Sequence, residues 1–109
     1  MTSSNWTVLD RLLEVIRERQ TADPETSYVA RLRAKGRKRI VQKIGEEAVE
    51  TALAGLMDDR AEIVGESADL LFHLLLLWAD AGIAPEEVMA ELARREGLSG
   101  LEEKRQRNR

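Results

Sequence analysis

Apolar residues recur along this chain at helical intervals, with no strand-like alternation to compete with them. Val8, Leu9, Leu12, Leu13 and Ile16 form an i, i+3, i+4, i+7 stripe that predicts a first helix over about 7–20. The segment "TADPETS" then breaks it with turn and cap residues around Pro24. Ser27 is placed to cap a short helix through Ala34, and Gly36 to stop or bend it. A third helix is expected over about 37–55, with "MDDR" as the turn, and a fourth over about 59–81, ended by Gly82. Pro85 suits the first position of a fifth helix bearing Val88, Met89 and Leu92. The tail from about residue 97 holds two glycines and a charged end, and is read as a mobile extension.

Leu70, Leu71, Phe72, Leu74, Leu75, Leu76, Leu77 and Trp78 cover every face of the fourth helix. A helix that is apolar all round must be buried all round, which a few short neighbours in one chain can hardly achieve. The expectation is therefore an all-α fold: a single domain over 1–109 with about five helices, whose four-helix-type core is completed by homodimerisation through helix four.

Composition narrows the classes. The chain has 109 residues, enough for one domain that buries roughly two-thirds of its unfolded surface. Aromatic residues make up only 4%, which with two prolines suits a helical protein. The absence of cysteine excludes a disulfide framework and any thiolate zinc site. The N-terminal stretch lacks the basic and apolar regions of a secretory signal. Leu70 to Ala79 falls far short of the roughly 18 apolar residues of a membrane span. These features predict a soluble, cytoplasmic protein with no membrane partner. A net charge of −3 argues against a general nucleic-acid binder. The charge is uneven, however: Arg31, Arg33, Lys35, Arg37, Lys38, Arg39 and Lys43 form a basic run without one acid, which leads directly into "GEEAVE".

In that stretch Glu47 and Glu50 share a helix face, and Glu46 reaches Glu50 from the other side. Taken alone, such a cluster reads most simply as a solvated helix face with Lys43 as its partner. Glu66 and Asp69 change the picture, because they repeat the i, i+3 spacing beside an apolar run and have no cation within one helical turn. Antiparallel packing across the turn allows the two pairs to face each other. Partly buried like charges repel, and a divalent cation removes the cost. A nest of carboxylates with no Cys suits Mg²⁺ or Mn²⁺ better than Zn²⁺. His73, four residues beyond Asp69, reads as a core histidine, a partner of the carboxylates, a base or a ligand.

Glu-x-x-Glu at Glu47 and Glu50 with Glu-x-x-Asp at Glu66 and Asp69 resembles the all-α NTP pyrophosphatase superfamily. The stretches "SYVARLRAKGRKRIVQKIGEEAVETALA", "ESADLLFHLLLL" and "LARREGLSGLEEKRQR" narrow the resemblance to the phosphoribosyl-ATP pyrophosphatases of histidine biosynthesis. That resemblance implies Mg²⁺-dependent hydrolysis of the α–β phosphoanhydride of phosphoribosyl-ATP, giving phosphoribosyl-AMP and pyrophosphate. Its expected metal ligands are Glu47, Glu50, Glu66 and Asp69, with Glu46 as a further ligand or a positioner of the attacking water. Glu46, Glu47 and Glu50 are accordingly the catalytic candidates. Lys35, Arg37, Lys38 and Lys43 become candidates for the triphosphate, and Lys104 or Arg105 for a contact from the tail. The same carboxylates also fit a house-cleaning nucleotide pyrophosphatase. A non-catalytic helical interaction module is the reading from another class.

Overall fold

The computed structural model describes residues 7–98 and 100–108. Six helices follow one another: α1 (Thr7–Arg19), α2 (Tyr28–Lys35), α3 (Arg37–Met57), α4 (Arg60–Ala81), α5 (Pro85–Arg95) and α6 (Gly100–Arg107). No strand occurs among the described residues.

Local chemistry sets most of the boundaries. Between α1 and α2, the Asp23 carboxylate accepts the Glu25 N–H at 2.9 Å, a side-chain turn that brings the chain round to Ser27. Ser27 Oγ then accepts the Ala30 N–H at 3.2 Å and caps α2. One residue, Gly36, separates α2 from α3; its φ of +94° is open to glycine and strained for any side chain. The α3–α4 turn is also tight. Asp58 closes α3 in the left-handed region at φ 53°, and the Asp59 carboxylate caps α4 by accepting the Glu62 N–H at 3.2 Å. At the far end Gly82, φ 71°, lets the Ile83 N–H reach back to the Trp78 carbonyl at 2.8 Å. Pro85 opens α5, where Glu87 accepts the Ala84 N–H at 2.9 Å.

The long α3 and α4 form an antiparallel hairpin that makes the most extensive contact in the molecule, and α1 packs on α4 while α2 packs on α3. The core is gathered at one end of that hairpin. Leu13 and Ile16 from α1, Val29 and Leu32 from α2, Ile40 from α3 and Leu75 and Leu76 from α4 are buried together. Ile44, Phe72, Leu77 and Trp78 pack around them.

This arrangement changes one expectation. The apolar half of α4 is enclosed largely within the chain, and of its large side chains from 70 to 78 only Leu71 is exposed. The uncovered apolar surface lies instead at the turn end of the hairpin, on Val49, Leu53, Leu56 and Met57 of α3 and Val64 of α4. The reason is geometric: α1 and α2 are too short to cover both ends of a two-helix hairpin of this length.

The tail forms α6, an element the periodicity does not predict. Glu103, buried at its centre, bonds Arg94 at 2.8 Å and approaches Arg95 and Arg107 at 3.7 and 3.3 Å. Glu91 joins the same network through Arg94 and Arg95, whose hydrogen bonds hold its carboxyl down at about 2. Among the described residues no single helix is long and apolar enough to cross a membrane; α4 and α5 reach that composition only as a pair bent by 113°.

Leu75 is 1% exposed at the centre of the packed end. Leu75→Ala is expected to cost about 2–5 kcal/mol of unfolding free energy, read by chemical denaturation, whereas Asp59→Ala, which removes only a cap, costs about 1 kcal/mol.

Candidate functional site

The acids meet where the covered half of the hairpin gives way to the uncovered half. Thr51 marks the crossing: its hydroxyl lies 2.8 Å from the Glu47 carbonyl on its own helix and 3.1 Å from the Glu66 carbonyl on α4. One shared proton thus ties α3 to α4 in a register that sets Glu47 opposite Glu66 and Asp69. One carboxylate oxygen from each of these three residues lies within 4.8 Å of the other two.

Their surroundings are short of compensation. Glu47 is buried, Glu66 half-buried and Asp69 exposed. Glu47 Oε1 has Lys43 Nζ at 3.5 Å, but Glu47 Oε2 and Glu66 Oε2 are buried with no hydrogen-bond partner. Glu50 stands against Glu66 closely enough for the two carboxyls to share a hydrogen bond when one is protonated. Loss of water first, then Glu50, Asp69 and Glu47, hold the Glu66 carboxyl above the usual carboxylate range. Two orphaned anionic oxygens in an all-oxygen donor set fit a hard divalent cation, whose charge would relieve both the repulsion and the missing bonds.

The other sequence-predicted residues divide. Glu46 stands outside the three-carboxylate group and is taken up by cations and an amide: Lys43 at 3.3 Å, Arg39 at 3.8 Å and Gln42 at 3.3 Å. Lys43 therefore bridges Glu46 and Glu47. Burial pulls its pKa down, but the bond to Glu46 and the neighbouring Tyr28, Glu46 and Glu47 outweigh this and raise it. Arg37 is turned the other way, against Asp80 at 2.7 Å and its carbonyl at 3.2 Å. Lys35 and Lys38 are exposed at the α2–α3 elbow and form no ion pair among the described residues. On α6, Arg105 pairs with Glu102 at 3.0 Å, and neither it nor Lys104 touches the carboxylate group.

His73 is buried beside the site. Its Nδ1 lies 2.7 Å from the Asp69 carbonyl and its Nε2 2.9 Å from Tyr28 Oη. The spacing of acids in the sequence points to neither Tyr28 nor Thr51. Tyr28 belongs to the "SY" of the family-like stretch, while Thr51 leaves only the weak sign of a hydroxyl four residues after Glu47. Desolvation raises the Tyr28 phenol above its ordinary value against the opposing pull of Lys43 and Arg39, so the hydroxyl keeps its proton.

A family model described as phosphoribosyl-ATP pyrophosphohydrolase matches residues 9–96. A phosphoribosyl-ATP pyrophosphatase of Paramagnetospirillum magneticum is 56% identical over 100 residues, covering 92% of this chain and 92% of the relative. The protein of that name from Rhizorhabdus wittichii is 58% identical over 96 residues, 88% of this chain and 91% of its own. Its counterpart in Rhodospirillum rubrum is 55% identical over 97 residues, 89% and 83%. With a family match over most of its length and relatives more than half identical along nearly all of it, the chain belongs to the phosphoribosyl-ATP pyrophosphohydrolase family.

Proposed function

We propose that this protein hydrolyses phosphoribosyl-ATP to phosphoribosyl-AMP and pyrophosphate, the second step of histidine biosynthesis, as a Mg²⁺-dependent cytoplasmic homodimer. The observation that supports the reading best is the convergence of Glu47, Glu66 and Asp69 with two buried, partnerless carboxylate oxygens. The names of the relatives supply the substrate.

Glu47, Glu66 and Asp69 would hold the cation, with Glu50 completing the set against Glu66. When bound, Mg²⁺ supplies positive charge beside the phosphoanhydride oxygens and polarises the attacking water. The chain's own residues do the rest. Lys43, already between Glu46 and Glu47, can swing its ammonium to a phosphate without leaving the acids. Lys35 and Lys38 extend the positive surface at the elbow, and Arg37 joins it by exchanging Asp80 for phosphate. Glu46, held by Lys43 and Arg39 on the neighbouring face, would turn inward to position the attacking water. Lys104 and Arg105 serve the tail end of the nucleotide only if α6 meets a site other than the one in its own chain, which a dimer permits.

The dimer rests on the bare end of the hairpin. Leu56 and Met57 are 83% and 78% exposed, and contiguous apolar surface of this kind marks association. A second copy laid on α3 and α4 would complete a four-helix core.

Three outcomes test the reading. Purified protein with Mg²⁺ is expected to release pyrophosphate from phosphoribosyl-ATP in strong preference to ATP and dATP, and Glu50→Gln to lower turnover roughly 10- to 100-fold or more while the protein stays folded. Turnover of ordinary nucleotides alone would instead make it a house-cleaning enzyme. In a thermal melt, Mg²⁺ at a hundred times its dissociation constant should add about 2.7 kcal/mol, a rise of roughly 10 °C or more. Because the fold raises Glu66, the folded protein holds a proton that the unfolded chain has already lost. Metal-free stability therefore falls as pH rises through the folded value, and the Mg²⁺ gain is larger above that value than below it. Light scattering should give twice the 12.3 kDa chain mass, and Leu56→Lys should reduce it to one.

A further inference from the structure

His73 is the protein's only histidine and Tyr28 its only tyrosine, and they are bonded to each other across 45 residues of sequence. The partner at His73 Nδ1 is a backbone carbonyl, that of Asp69, at 2.7 Å. A carbonyl only accepts, so Nδ1 carries the ring proton, and in the neutral ring Nε2 is left as a bare acceptor. The Tyr28 hydroxyl, 2.9 Å away, donates to it. Both ring nitrogens are thereby used. The ring is also boxed in: it is 5% exposed, with Phe72 edge-on at 5.4 Å and 87° and Tyr28 at 5.8 Å and 85°. No lone pair remains for a metal ion, and no open path remains for a proton.

The bond joins α4 to α2. Asp69 offers its carboxylate to the acidic group and its carbonyl to His73, one turn on in α4. Tyr28 is the first residue of α2, directly after the Ser27 cap. The α3 charges that act on the phenol are Lys43 and Arg39, with Glu47 and Glu46 working against them.

We propose that His73 and Tyr28 are positioning residues of this site: His73 neither ligates nor transfers a proton, but holds the Tyr28 hydroxyl, and with it the start of α2, against α4 one turn from Asp69, and so fixes α2 and the basic run that follows it for the substrate's phosphates. The inference rests on the acidic cluster being the catalytic site. It separates binding from chemistry, because the carboxylates stand on α3 and α4 whereas the His73–Tyr28 bond anchors the start of α2.

The test uses the full chain and two readouts. In the ¹⁵N spectrum of the single histidine, Nδ1 should be the protonated nitrogen and Nε2 the bare one, and Tyr28→Phe should move the Nε2 resonance while leaving the tautomer unchanged. In kinetics, Tyr28→Phe should raise KM for phosphoribosyl-ATP roughly threefold to tenfold, the size of one lost hydrogen bond, with kcat changed by less than about twofold. His73→Leu should show the same loss of affinity. His73→Gln, whose amide oxygen can take the place of Nε2 as acceptor, should restore most of it. An Nε2–H tautomer overturns the inference, as does a collapse of kcat in His73→Gln beside an unaffected Tyr28→Phe, which would make His73 a ligand or base. Wild-type protein that hydrolyses none of the nucleotides overturns the positioning role together with the proposed activity, and the nitrogen spectrum then decides the His73–Tyr28 bond by itself. A wrong tautomer with turnover intact overturns this inference alone.

Discussion

Mutual repulsion among Glu47, Glu66 and Asp69 is the force that the α3–α4 pair has to withstand. Like charges at this separation, partly shielded from water, push two packed helices apart. What opposes them is close at hand: the Thr51 hydroxyl tied to both helices, Lys43 against Glu47, and the buried Ile40, Leu75 and Leu76 beyond. The apolar contact holds the hairpin shut at one end, and the acids stand where that contact stops. The strain shows in Glu66, whose carboxyl is held toward its protonated form, and in two oxygens without partners. A divalent cation would relieve both.

The same placement explains why the hairpin is dressed on one side only. α1 and α2 close over one end, and of the basic run after the Gly36 elbow it is Arg39 and Lys43 that reach the acids, at Glu46 and Glu47. The turn end is left with Val49, Leu53, Leu56, Met57 and Val64 in the open. A solvated hairpin end would cheaply have been polar, and this is the surface that the proposed second copy would cover.

Tyr28 and His73 extend the logic from charge to orientation. Lys43 and Arg39 are drawn to Glu46 and Glu47, so the basic run needs a separate anchor, and the His73–Tyr28 bond gives the start of α2 one. The histidine has both ring nitrogens bonded. Its value is that two hydrogen bonds in opposite directions leave it one tautomer and one position.

Much of this was legible in the residues themselves. The helix ends at Ser27, Gly36, Gly82 and Pro85 follow from caps, left-handed glycines and a proline at the first helical position, all of them local rules. The two acidic pairs were equally legible, because i, i+3 spacing places residues on one face whatever lies opposite. α6 was not, since its anchor is a buried Glu103 bonded to arginines of another helix. Nor was the division between Glu47, which meets α4, and adjacent Glu46, which turns to Lys43 and Arg39. Periodicity says which residues share a face; it does not say which face of a neighbouring helix they meet or in what register. That choice belongs to side-chain packing and to a single threonine hydroxyl between two carbonyls. Only the tertiary structure therefore decided which carboxylates converge, which end of the hairpin stays bare, and that the one histidine is bonded to the one tyrosine.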